Sequence, residues 1–138
     1  MAKDIIHDAV RNALVKDGWR IIREHFKIEY EEIEIFADLI VDRSPIIAVK
    51  DSNKLIIEIK SFAGRSFVRE LQQAIGQYEL YVDMIEFAQL DYELFLAVSK
   101  FVHETFLQRT AARQIIQRHK LKLVVVDTDH EEIVEWIR

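Results

Sequence analysis

The chain has 138 residues, half of them hydrophobic, and a formal net charge of -5. That is enough to bury one core and too little to divide comfortably into two, so a single domain over 1–138 is expected. With no cysteine, a disulfide framework, a thiolate zinc site and a cysteine nucleophile are excluded, which fits a reducing cytoplasm.

Along the chain, residues 1–8 show no basic-then-apolar leader, and no apolar run approaches the roughly 20 residues of a membrane span. A soluble cytoplasmic protein is therefore expected. Ile6, Ala9, Val10, Ala13 and Leu14 recur at helical spacing and predict a first helix over 4–16, stopped by Asp17 and Gly18. Residues 19–28 read as a short strand followed by an irregular stretch. A second strand, 33–41, alternates, with Ile33, Ile35, Ala37, Leu39 and Val41 on one face and Glu34, Phe36, Asp38 and Ile40 on the other. A loop at Arg43, Ser44 and Pro45 follows, then a turn at Asp51, Ser52 and Asn53 into a third strand over 54–60. Residues 66–88 predict a long helix with Val68, Leu71, Ile75, Tyr78 and Val82 along its stripe, and 94–98 a buried strand. Residues 101–119 predict one more helix, 121–126 an apolar strand, and 133–137 a last short element. Phe87, Leu90, Tyr92 and Phe95, with Phe101 and Phe106, are expected in the core. The architecture implied is α/β, a mixed sheet with helices on its faces.

Period-two alternation places Glu58 and Lys60 together on one face of the third strand, opposite Leu55, Ile57 and Ile59. In an exposed strand such a pair would be solvated charge of little consequence. Here Ile56, Ile57 and Ile59 make the strand apolar on both faces and hence central, where charges need a reason. Asp38 supplies one, because antiparallel pairing of the second and third strands would set it beside Glu58. Two carboxylates then converge, as Mg²⁺ requires when waters and substrate phosphate complete its shell. Lys60 would orient the attacking water or stabilise the transition state. Asp8, beside His7 on the first helix, is a candidate third metal ligand. The five histidines show no ligand spacing, which argues against a zinc enzyme.

Asp38 followed by Glu58, Ile59 and Lys60 resembles the PD-(D/E)XK signature of restriction-endonuclease-like nucleases, with Ala37 where the signature often has proline. Gln77 and Tyr81, one helical turn apart, look like the Gln-x-x-x-Tyr motif that follows the catalytic strand in RecB-like nucleases. More specifically, the blocks KDIIHD (3–8), NALVKDGW (12–19), ADL (37–39), IEIKSF (57–62), LQQAIGQY (71–78), LKLVVV (121–126) and EWI (135–137) resemble the XisH family of fdxN-element excision controlling factors over essentially the whole chain. The resemblance implies a cyanobacterial accessory protein for developmentally programmed excision of a DNA element, on a restriction-endonuclease-like fold. Asp38, Glu58, Lys60 and Gln77 match nuclease positions in type, with Tyr81 and Ser61 in support.

Two functions are expected from this set. One is a Mg²⁺-dependent DNA endonuclease, or a nicking partner of a recombinase. The other is a catalytically silent module that binds DNA or a recombination partner protein, which the acidic net charge favours. A local basic strip, Arg65 and Arg69 or Arg109, Arg113, Arg118, Lys120 and Lys122, would still hold DNA. By analogy with nucleases that cut two strands, a homodimer is plausible. No Gly-x-Ser-x-Gly, phosphate loop or His-Glu-x-x-His supports a generic hydrolase.

Overall fold

A computed structural model describes residues 2–43 and 53–138. The expected loop at Ser44 and Pro45 and the start of the turn at Asp51 and Ser52 lie outside the described residues. The elements are α1 (Ala2–Lys16), β1 (Arg20–Tyr30), β2 (Ile33–Arg43), β3 (Asn53–Ile59), α2 (Phe67–Phe87), β4 (Glu93–Ser99), a short α3 (Lys100–Val102), α4 (Thr110–Arg118), β5 (Leu123–Asp127) and β6 (Glu132–Ile137). The six strands form one mixed sheet in sequence order. β1, β2 and β3 pair antiparallel, β3, β4 and β5 pair parallel, and β6 returns antiparallel. Among the described residues no helix is long and apolar enough to cross a membrane.

The helices divide the apolar residues into two cores, one on each face of the sheet. Ile6, Val10, Ala13 and Leu14 of α1 cover Leu39, Val41, Leu55, Ile57 and Phe95. On the other face, Tyr78, Tyr81, Met84 and Ile85 of α2 pack with Ile40, Ile56, Leu96 and Val98, joined by Leu107 and Ile116. Apolarity on both sides of β3 and β4 is thus explained by burial between two helical layers.

Four details differ from the periodicity reading. β1 is one continuous strand of 11 residues, because β2 pairs with it throughout. Its irregularities lie inside it: a register shift between Ile21 and Arg23, and His25 with a positive φ of 52°. Second, strict alternation in β2 fails at Asp38, since Leu39 and Val41 join the α1 core while Ile35 and Ala37 join the α2 core. Third, the buried stripe of α2 is Leu71, Ala74, Tyr78, Tyr81, Met84 and Ile85, with Val68 63% exposed, and the aromatic residues Phe87 and Phe101 are also exposed rather than in the core. Fourth, the single helix expected over 101–119 is broken. α3 runs into a π-helical turn over His103–Leu107, in which Gln108 N–H donates to His103 C=O, and Arg109 is extended before α4 begins.

Candidate functional site

The backbone ladder between β2 and β3 runs only as far as Leu39 opposite Ile57. One residue further on, side chains replace it. Asp38 N–H donates to Glu58 Oε1 at 3.2 Å, and Ile59 N–H donates to Asp38 Oδ2 at 2.8 Å. Each strand therefore holds the other's carboxylate with a main-chain donor, and the two acids meet where the strands part. The break in alternation at Asp38 is the local consequence, because its N–H is committed to a carboxylate instead of a carbonyl. His25 lies opposite, between the pairs formed by Glu24 and Phe26.

Glu58 is 4% exposed and faces α2. Its Oε2 accepts from Gln77 Nε2 at 2.6 Å. The same amide nitrogen donates to Tyr81 Oη at 3.1 Å, and Tyr81 donates to the Phe36 carbonyl at 3.0 Å. One helical turn of α2 thus ties Glu58 back to β2 through fixed dipoles. Burial first, and then the neighbouring Asp38, push the Glu58 carboxyl up to about 8, with Lys60 opposing. Burial likewise pushes the Tyr81 hydroxyl up to about 12, so it stays a neutral donor.

Asp38, Glu58, Lys60, Ser61 and Gln77 line one cavity of about 370 Å³. Five of the residues singled out from sequence are brought together there, and Tyr81 supports them from behind. Asp8 is not among the lining residues; it is exposed on α1. Its neighbour His7 does line the cavity and is hydrogen-bonded to Glu24 at 3.0 Å. Asp8 therefore does not supply the expected third carboxylate to this cavity, and among the described residues no group of three His, Asp or Glu side chains is spaced to hold a metal ion. Glu70 also lines the cavity and was not anticipated. It stands two helical turns before Gln77, on the same face, and that spacing is the signal that would have found it.

The chemistry of the donor set fits a hard divalent cation. Two carboxylates converge, and burial together with the neighbouring Asp38 raises the proton affinity of Glu58, which a bound cation would offset. Mg²⁺ commonly takes only one or two protein carboxylates and fills its shell with water and phosphate oxygens. A larger cavity, about 540 Å³, lies on the other flank of α2. There His119 is paired with Glu79 and Lys122 with Glu93.

The family model described as XisH protein matches residues 1–134. A crystal structure of an XisH family protein from Nostoc punctiforme is 28% identical, with a TM-score of 0.87, covering 98% of this chain and 100% of that one. A crystal structure of an fdxN element excision controlling factor protein from Anabaena variabilis is 29% identical, with a TM-score of 0.87, covering 98% and 99%. No curated protein matches the chain.

Proposed function

The chain belongs to the XisH family, and from that premise we propose that it is an accessory factor for excision of a DNA element whose Asp38–Glu58 cavity binds Mg²⁺ and hydrolyses phosphodiester bonds. The observation that carries this reading is the meeting of Asp38 and the buried Glu58 where the ladder between β2 and β3 stops, with Lys60 lining the same cavity. An antiparallel strand pair that delivers two acids and a lysine, followed by a helix and a parallel strand, also supports a restriction-endonuclease-like fold.

In this reading Asp38 and Glu58 hold the cation. A bound Mg²⁺ supplies Lewis acidity toward the phosphodiester and lowers the pKa of a water molecule. The Lys60 ammonium orients the attacking water and offsets charge developing on the phosphate. Gln77 and Tyr81 fix the rotamer of Glu58, so little reorganisation is needed when the cation arrives. Ser61, which lines the cavity, supports them in this reading.

The test is cleavage of supercoiled and branched DNA by the purified protein with and without Mg²⁺, beside Asp38→Ala and Lys60→Ala. Cleavage that needs Mg²⁺ and falls by about a hundredfold or more in both variants is the expected outcome. No cleavage, together with no Mg²⁺ binding by calorimetry, selects instead a silent module that binds DNA or a recombinase, the reading that the net charge of -5 favours.

A further inference from the structure

A row of phenylalanine rings leads away from the cavity. Phe62 is among the residues lining it. Its ring centroid lies 5.9 Å from Phe67, which stacks on Phe106 at 5.2 Å and 18°, and Phe106 meets Phe101 edge-on at 6.4 Å. The inner two rings, Phe67 and Phe106, are anchored against the α2 core. Phe62 packs against the same core while lining the cavity, and Phe101, the outermost ring, is not part of it. Phe101 is 66% exposed, and Phe62 is presented beside the cavity from a left-handed backbone conformation with φ of 52°. A bulky residue rarely adopts that conformation without support, and such strain gathers at ligand-contacting positions. The loop that carries Phe62 is pinned, because Gly64 N–H donates to the Glu70 carboxylate at 2.6 Å.

Positive charge runs along the same row. Arg65 and Arg69 bracket Phe67 in the chain, and the Arg109 guanidinium lies 5.1 Å from the Phe106 centroid. All three arginines are exposed, and none forms an ion pair among the described residues. Glu104 is the exposed acid nearby, and Glu70 is committed to Gly64. On a chain of net charge -5 this is a local reversal of sign beside the ring row.

One exposed ring continued by three half-buried ones, beside unpaired arginines, suits unstacked nucleotides, whose bases stack while their phosphates are neutralised. Duplex DNA hides its base faces and would gain from the arginines alone. Resting on the phosphodiester reading above for its direction toward the cavity, we propose that the row from Phe101 to Phe62, with Arg65, Arg69 and Arg109, is a stacking platform for single-stranded DNA, which it delivers to the Asp38–Glu58 cavity.

The test is fluorescence anisotropy in EDTA, so that binding is read apart from any cleavage. The probe is labelled oligodeoxythymidylate, alone or annealed to oligodeoxyadenylate. The single strand should bind about tenfold more tightly than the duplex. Phe101→Ala should remove about that factor for the single strand alone, and Phe101→Trp should restore it. Arg65→Ala and Arg69→Ala should weaken both probes and reduce the salt dependence of binding. Phe87→Ala, an exposed ring at the other end of α2, is the control and should change nothing. Equal affinity for the two probes, no binding to either, or indifference to Phe101→Ala overturns the platform. Metal-dependent cleavage without single-strand preference would sink this inference and leave the nuclease reading standing. Single-strand preference without cleavage would do the reverse.

Discussion

Glu58 is the residue on which the electrostatics of the site turn. Its carboxyl is raised from an ordinary value of 4.5 to about 8, chiefly by burial and next by Asp38. Between those values the folded protein holds a proton that the unfolded chain has released, so stability of the metal-free protein should fall as pH rises from about 4.5 and level off above about 8. Mg²⁺ needs the ionised form, so its apparent affinity should rise over the same interval, with uptake of the cation coupled to proton release. Denaturation as a function of pH reads the first effect, and titration calorimetry in buffers of different ionisation enthalpy reads the second. Glu58→Gln should flatten both and abolish Mg²⁺ binding. A Glu58→Gln protein whose stability keeps the parental pH slope would show that another group carries it.

At the scale of elements, α2 is the part that matters most to the site, since Gln77 and Tyr81 reach Glu58 and Phe36 from it. Its start is set by Ser66, whose hydroxyl accepts from Arg69 N–H at 3.2 Å. Ser66→Ala should cost about 1 kcal/mol by leaving that donor uncapped. Gly76 sits mid-helix, exposed, and a Cβ built there meets nothing within 4 Å. Gly76→Ala should therefore stabilise the protein by about 0.5–1 kcal/mol, since alanine loses less backbone freedom on folding. Urea denaturation of the pair should show shifts of opposite sign. The middle of β2 is the complementary element: Asp38 gives up the regular ladder with β3 so that its carboxylate and that of Glu58 can share one space.

For the whole molecule, two cores on opposite faces of one sheet hold the strands that carry the acids. Phe95, at the centre of β4, is completely buried in the α1 core and packs edge-on against Trp136 of β6 at 5.0 Å. Phe95→Ala should cost about 3–5 kcal/mol and show as an earlier urea midpoint with an unchanged slope. Added Mg²⁺ should raise the thermal midpoint of the parent protein by mass action and leave that of Asp38→Ala unmoved. Because the protein as a whole is acidic, DNA phosphates should be held only through the basic strip, and binding should weaken with salt.

The alternation around Ile57 and Ile59 was enough to identify β3 as a central strand with Glu58 and Lys60 on one face, and the one-turn spacing of Gln77 and Tyr81 put both on one side of α2. Periodicity states which residues share a face, and it sufficed wherever the backbone stayed regular. It failed at Asp38, where alternation predicts one face for Ile35 through Val41 and the chain instead changes sides, because hydrogen bonds from residues some twenty positions away override the pleat. It also could not place Asp8. A helix of known phase can be laid on a sheet at many rotations, and packing of Val10, Ala13 and Leu14 selected the one that turns His7, and not Asp8, into the cavity. The sequence by itself determined which residue types were available and which of them each element carries together. Only the tertiary structure decided that Glu58 is buried against Asp38, because burial and like-charge proximity are properties of how elements meet.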